Sequence, residues 1–254
     1  MILAPHRNAP PTALPAARPS FFMLAEPGAA PPGPPNLLAS LKPPQRDMVL
    51  NRGRRRVFDR GRSLFTQGEQ HDGLFLIETG MVKVFYTGPS GREITLAYWY
   101  PGNFVGGPSV FQRDRHIWTG IAARNTTVIA LSAADLRYLV MQIPEFGIGI
   151  VDGLSFKGKC YSMLAQMLGT RSIGNRLELL LHSLCELYGV AEHEGIVIRA
   201  AFSQQDLANM VGATRQWVTI TLNRLQEAGV LLLRKREIVV RRPDLLATRA
   251  SAAS

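Results

Sequence analysis

Gly212 constrains this chain more than any other single residue. It separates two stretches with helical periodicity, Ser203 to Val211 and Thr214 onward. A glycine there can take the left-handed conformation that ends a helix without steric penalty, and Thr214 supplies an oxygen to start the next one. The first stretch opens as a capping box, with the Ser203 hydroxyl facing the amide three residues on and the Asp206 carboxylate reaching back to the Ser203 amide. Leu207, Met210 and Val211 then fall on one face. Two helices joined this tightly must cross steeply. In the second, Val218, Leu222 and Leu225 recur at i, i+4 and i+7, the spacing of a buried stripe, which leaves Arg215, Gln216, Thr219 and Asn223 outward. Such side chains can meet base edges, although capped helix pairs of this kind also occur in proteins that never touch nucleic acid.

The residues that follow favour nucleic acid. Leu231-Leu232-Leu233, Arg234-Lys235-Arg236 and Glu237-Ile238-Val239-Val240 read as two short strands around a basic turn, a β-hairpin wing. From Ala213 to the end there are eight basic residues and three acidic ones, so +5 of the chain's formal +10 is concentrated where phosphates would lie. A helix-turn-helix serving mainly as a protein contact would not need that charge.

With 254 residues, 46% apolar and 19% charged, the chain is long enough for two domains with real cores. Its two cysteines, Cys160 and Cys185, stand alone, which supports neither a disulfide framework nor a cysteine-rich metal or iron–sulfur site and fits a cytoplasmic setting. No run approaches a membrane span or a secretion signal. Residues 1–35, crowded with Pro and Ala, read as a disordered tail unable to join a ladder or a packed helix. No nucleophile–base pair, metal-ligand cluster or phosphate loop stands at workable spacing, so neither a catalytic nor a metal site is expected. Glu69 and Asp72 read as turn residues with His71 solvated beside them.

Between Arg54 and Leu131 short alternating apolar runs are punctuated by glycines 61, 68, 73, 80, 91, 102 and 106, the pattern of a small β-barrel or roll. Leu74 to Glu78 and Met81 to Tyr86 read as a strand pair linked at Thr79-Gly80, with Val82, Val84 and Tyr86 alternating against Lys83 and Phe85. Another hairpin turns at Ser90-Gly91-Arg92 into Ile94 to Trp99. Helical spacing takes over from Asp135 to Met141, breaks at Pro144 and resumes as a long helix. There Gly147, Val151, Leu154, Gly158, Tyr161, Ala165 and Leu168 follow a 4-3-4-3 spacing, the seam of a helix pair between two copies of the chain. Ile173 to Tyr188 predicts a further helix, and Gly195 to Ala200 a strand leading into the helix-turn-helix.

This order resembles the Crp/Fnr family of bacterial transcription regulators over nearly everything after residue 35. The resemblance is carried by Gly61, Gly68-Glu69 and Asp72; Leu74 to Gly80 followed by Val82-Lys83-Val84; Gly91-Arg92-Glu93; Pro101-Gly102-Asn103-Phe104-Val105-Gly106; Gly174-Asn175-Arg176-Leu177; and Gly212, Thr214-Arg215, Leu222, Leu225-Gln226 and Gly229-Val230. It implies an α+β architecture. Residues 36–143 would form a cyclic-nucleotide-binding-like β-roll (jelly roll), 144–169 a dimerisation helix and 170–254 a winged helix-turn-helix. It also implies a homodimer acting on a palindromic operator of double-stranded DNA, with RNA polymerase as a partner.

The effector site departs from the family pattern. Relatives that bind cyclic AMP place a Glu beside a Gly at a strand end and an Arg-Ser or Arg-Thr pair downstream; here the segments read Gly106-Gly107-Pro108-Ser109 and His116-Ile117-Trp118-Thr119. A buried phosphate without a paired cation is costly, so classical cyclic AMP control is not expected. Gly106, Gly107, Ser109, His116, Trp118 and Thr119, with Tyr161 and Ser162 of the long helix, are the candidate pocket for an unknown small effector. The alternative is a sensor of that other ligand that binds DNA only when liganded. On DNA, the resemblance puts Arg215, Gln216 and Ile220 at base-contacting positions. Ser203, Gln204, Lys235 and Arg236 suit phosphates, with Thr214, Thr219 and Asn223 in the same interface. The seam residues are Val151, Leu154, Gly158, Tyr161, Ala165 and Leu168.

Overall fold

The computed structural model describes Phe21, Phe22, Leu24 and residues 33–199, 202–234 and 237–246. The roll is built from two sheets. One has the order β1 (Phe21–Phe22), β7 (Glu93–Trp99), β6 (Val82–Thr87), β10 (Thr119–Ala122) and β3 (Ser63–Phe65). The other runs β2 (Arg54–Phe58), β11 (Thr126–Leu131), β5 (Leu74–Thr79) and β8 (Phe104–Gly106), and β4 (Gln70–His71) pairs with β9 (Asp114–Arg115). Most of the expected tail lies outside the described residues, but its expected exclusion from any ladder is corrected by β1. Phe21 pairs opposite Trp99 and Phe22 opposite Tyr98, and Leu24 is buried. The local reason is a run of four large apolar residues, Phe21 to Leu24, unbroken by proline.

The expected pairing of β5 with β6 is also corrected. β5 bonds to β11 and β8, and β6 to β7 and β10, so Thr79-Gly80 carries the chain from one sheet to the other. Gly80 has φ +91°, and a Cβ there would lie 2.4 Å from the Asn125 carbonyl oxygen, which leaves room only for glycine at the crossing. The central strands β5 and β11 of the second sheet bury residues on both faces, whereas its edge strand β2 is largely exposed. Ile77 and Val128 share the core of the roll with Val82 and Val84, whereas Leu76 and Ile129 pack in a second core with Leu136, Leu139, Phe146 and Ile150.

That second core is closed by helices: α1 (Pro43–Arg52), α2 (Ala133–Gln142) and the start of α3 (Pro144–Thr170). α1 was not foreseen, since Pro43-Pro44 looks like an interruption, yet proline is well placed in a first turn. After α3 come α4 (Ile173–Tyr188), β12 (Gly189–Glu192), β13 (Gly195–Ile198), α5 (Gln204–Val211), α6 (Arg215–Glu227), β14 (Leu231–Arg234) and β15 (Glu237–Val240). Their sheet has the order β12-β13-β15-β14. Ser203 caps α5 through the expected reciprocal bonds with Asp206, at 3.1 and 3.0 Å, and Gly212 ends it at φ +66°.

α5 lies against the outer face of β6 and β7. This explains why the expected alternation on β6 fails: Lys83 and Phe85 are buried beside Val82 and Val84. Lys83 Nζ sits 3.5 Å from Glu93 Oε2 and 3.6 Å from Asp206 Oδ1, and Asn209 Nδ2 donates to the same Glu93 oxygen at 2.8 Å. Beside this polar bridge the Tyr98, Phe202 and Tyr188 rings pack edge to face, and the Tyr100 and Tyr188 hydroxyls share a 2.7 Å hydrogen bond. Roll and winged helix thereby belong to one continuous hydrophobic cluster.

Candidate nucleic-acid interface and neighbouring cavity

α6 buries Val218, Leu222 and Leu225 and turns Arg215, Gln216, Ile220 and Asn223 to solvent. Thr214 caps the helix, accepting from Trp217 N at 3.2 Å. The Thr219 hydroxyl is turned partly inward, 2.6 Å from Gln204 Oε1 and 2.9 Å from the Arg215 carbonyl oxygen, so Thr219 and Gln204 hold α6 to α5. Ser203 is exposed at the α5 N-terminus, where amides and helix dipole favour an anion.

The basic charge counted along the sequence is redistributed by folding. Arg234 is engaged by Glu192, Glu194 and Glu237, Arg241 by Glu194, and Arg242 by Asp244. Glu192 and Glu194 precede the stretch that was counted, so the sum along the sequence missed them. Arg215 and Arg224 have no ion pair among the described residues, while Lys235 and Arg236 lie outside them.

A cavity of about 220 Å³ opens between the roll and α3, walled by Trp99, Phe104, Trp118, Leu154 and Tyr161 with Gly106, Gly107 and Lys157. Trp118 donates from Nε1 to the Gly106 carbonyl at 2.8 Å, and its ring lies 5.4 Å from that of Tyr161. Gly106, Gly107, Trp118 and Tyr161 of the candidate pocket are therefore brought together. The other four candidates are not in its wall. The Ser109 hydroxyl bonds Asp114, the Thr119 hydroxyl accepts from Gln67 N, and Ser162 faces solvent.

His116 is buried behind the wall instead of lining it, stacked 4.4 Å from Phe65 and packed edge-on to His71 at 4.6 Å. The reading of His71 as solvated is corrected as well: it is 2% exposed because β4 folds against β9 and closes over it. Burial lowers both pKa values, that of His116 to about 4 with the neighbouring His71 adding to the effect. His71 Nε2 and His116 Nδ1 have no hydrogen-bond partner among the described residues. The His71 ring also occupies the space beside Gly107, where a Cβ would lie 3.0 Å from His71 Nε2.

The stripe on α3 divides between two surroundings. Leu154, Tyr161 and Leu168 pack on the chain's own cores, while Val151, Gly158 and Ala165 are exposed. Ile148, Ser155 and Ser162 are exposed beside them, so the outward stripe of α3 keeps Val151, Gly158 and Ala165 of the expected set and differs by one position at the others. Nothing lies within 4 Å of a Cβ built at Gly158. No helix among the described residues is long and apolar enough to cross a membrane.

Comparison with known proteins bears on what this arrangement does. The family model for the cyclic nucleotide-binding domain matches residues 55–143, and that for the Crp-like helix-turn-helix domain matches residues 178–249. The chain belongs to the Crp/Fnr family. The chain is 28% identical to the global nitrogen regulator of Synechococcus elongatus, across 76% of this chain and 88% of that one. It is 27% identical to the cyclic AMP receptor protein of Thermus thermophilus, across 83% and 94%. Among solved structures, the c-di-GMP responsive global regulator CLP of Xanthomonas campestris superposes with a TM-score of 0.71 at 22% identity, covering 78% of this chain and 99% of that one. A CooA mutant from Carboxydothermus hydrogenoformans gives 0.66 at 22%, covering 80% and 90%. This Crp/Fnr protein is a DNA-binding transcription regulator.

The features of this regulator that sequence reasoning missed are Lys157 and the aromatic wall from β7 and β8. Lysine on an otherwise amphipathic helix is ordinarily assigned to solvent, and only the curvature of the roll around α3 brings it over Trp99. The signal available was its place directly after Phe156, an apolar residue that the structure buries.

Proposed function

We propose that this regulator binds a palindromic operator as a homodimer, with the outward face of α6 in the major groove. The observation that carries the reading is the unobstructed set Arg215, Gln216, Ile220 and Asn223 on a helix whose inner face is fully buried. Arg215 suits guanine O6 and N7, Gln216 suits the adenine N6 and N7 edge, and Ile220 suits a thymine methyl. Pairing of two copies through the exposed seam of α3 would place two such helices on half-sites roughly 34 Å apart. Glycine and serine on that seam favour close approach. By analogy with its relatives, the bound dimer would then act through RNA polymerase.

The cavity between roll and α3 is read as the effector site, and cyclic AMP as a poor occupant. The position where cyclic-AMP-binding relatives carry a carboxylate is Gly107, and a side chain there would crowd the buried His71 ring, which would have to shift. One observation favours the second reading, in which DNA binding requires the effector: α5 is held against the roll through Lys83, Glu93, Asp206 and Asn209.

Selection of random duplexes by the purified protein at about 0.1 M salt, followed by sequencing, tests both. A two-fold palindrome recovered without added ligand supports the dimeric, effector-independent form. Enrichment only after ligand is added supports the second reading. Absence of enrichment under either condition would remove both. Val151→Glu, which puts a charge on the exposed seam, is expected to shift the protein from dimer to monomer in sedimentation velocity while leaving its circular dichroism unchanged; an unaltered dimer would place the interface elsewhere.

A further inference from the structure

Among the described residues that wall the effector cavity, Lys157 carries the one charged side chain. Lys157 Nζ stands 3.2 Å from the centroid of the Trp99 ring and 5.1 Å from that of Phe104, with no carboxylate within ion-pair distance among the described residues. Both rings present π faces to the ammonium, an attraction that grows when water is excluded but replaces only part of a lost hydration shell. A cavity of 220 Å³ falls short of the range for nucleotide-sized ligands and exceeds the 150 Å³ or so that accommodates benzene, so it has room for one ring with a short substituent.

We propose that this cavity takes a small aromatic carboxylate, its ring against Trp118 and Tyr161 and its carboxylate paired with Lys157 Nζ. The inference rests on the reading of the cavity as the effector site and specifies what that site selects. Trp118 is held in place by its bond to Gly106 O, which makes the aromatic wall a fixed surface before a ligand arrives. The charge pair would form in a low-dielectric setting, where its attraction is far stronger than in water. Burial lowers the pKa of Lys157 to about 7, and the groups facing it do not reverse that. Cys160 on its own helix is a thiol pushed up to about 11, the Tyr161 phenol is raised by burial too, and the roll presents only the Trp99 and Phe104 rings. A carboxylate ligand favours the protonated amine, so its affinity falls as pH rises through and above the lysine's pKa, whereas a neutral ring is indifferent to that change.

Tryptophan fluorescence of the full chain tests this directly, since Trp99 and Trp118 wall the cavity. Benzoate, phenylacetate and 3-phenylpropanoate are titrated beside their neutral amides, into the wild type and into Lys157→Met. At least one acid is expected to saturate the signal about tenfold or more tighter than its amide near pH 6.5, an advantage of about 1.4 kcal/mol. Lys157→Met should abolish that advantage while leaving amide binding in place, and raising the pH to about 8.5 should erode it. If the amides bind as tightly as the acids, the cavity accepts a ring but not an anion: the inference fails and the effector-site reading stands. If none of the six compounds saturates and Trp118→Ala leaves duplex selection unchanged, both fail.

Discussion

Phe146→Ala is expected to destabilise the protein by about 3–5 kcal/mol. Phe146 is fully buried in the first turns of α3, among Leu76, Leu136, Leu139 and Ile150. Deleting the ring removes its transfer free energy and leaves a cavity that this packing cannot easily collapse, because β5 and β11 form one wall and α2 another. Urea denaturation followed by circular dichroism would measure it, with a thermal midpoint lowered by roughly 6–20 degrees. A loss under about 1 kcal/mol would mean that α3 is not seated through this residue. The effect should extend to ligand binding and pairing as proposed above, since the same turns position Lys157 and the outward stripe farther along the helix.

Arg215→Ala is expected to weaken operator binding by about 1–3 kcal/mol, roughly 5- to 150-fold, and to relax the base preference at one position in each half-site. The prediction follows from exposure and from pairing. Arg215 stands in the first turn of α6 with no ion pair among the described residues, whereas Arg234, Arg241 and Arg242 are already engaged by carboxylates. Removing any of those three should therefore change affinity less than the sequence charge suggests. Fluorescence anisotropy on the selected operator and on single-base variants gives the answer. Equal losses on every variant would make Arg215 a phosphate contact, and no loss would place base reading elsewhere.

Much of the architecture could be read from the sequence because local chemistry dictates it. The Ser203–Asp206 capping box, the left-handed Gly212 and the Val218, Leu222, Leu225 stripe needed only nearest neighbours, and each stands in the structure as read. Where a residue's environment depends on a distant segment, the reading failed. Lys83 and Phe85 read as the alternate face of β6 from Val82 and Val84, yet both are buried, with Asp206 of α5 reaching Lys83, and His71 read as solvated until β9 closed over it. Thr79-Gly80 has the chemistry of a hairpin turn, and nothing local says that the chain crosses there between sheets. The cavity divided in the same way. Gly106, Gly107, Trp118 and Tyr161 came from the family resemblance, but Lys157 enters only through tertiary packing.

The bridge from Lys83 to Glu93 and Asp206, with Asn209 on the same carboxylate, bears on how such a protein can diversify. A chimera that joined this roll to the winged helix of a relative lacking Asp206 and Asn209 would leave a buried ammonium with half its counter-charge, and a carboxylate short of a donor. Exchanging one half alone would therefore disturb the join, whereas exchanging both together would keep it. Arg215, Gln216, Ile220 and Asn223 lie outside the shared cluster, so if they read the operator as proposed they can be exchanged one at a time without unsettling the join.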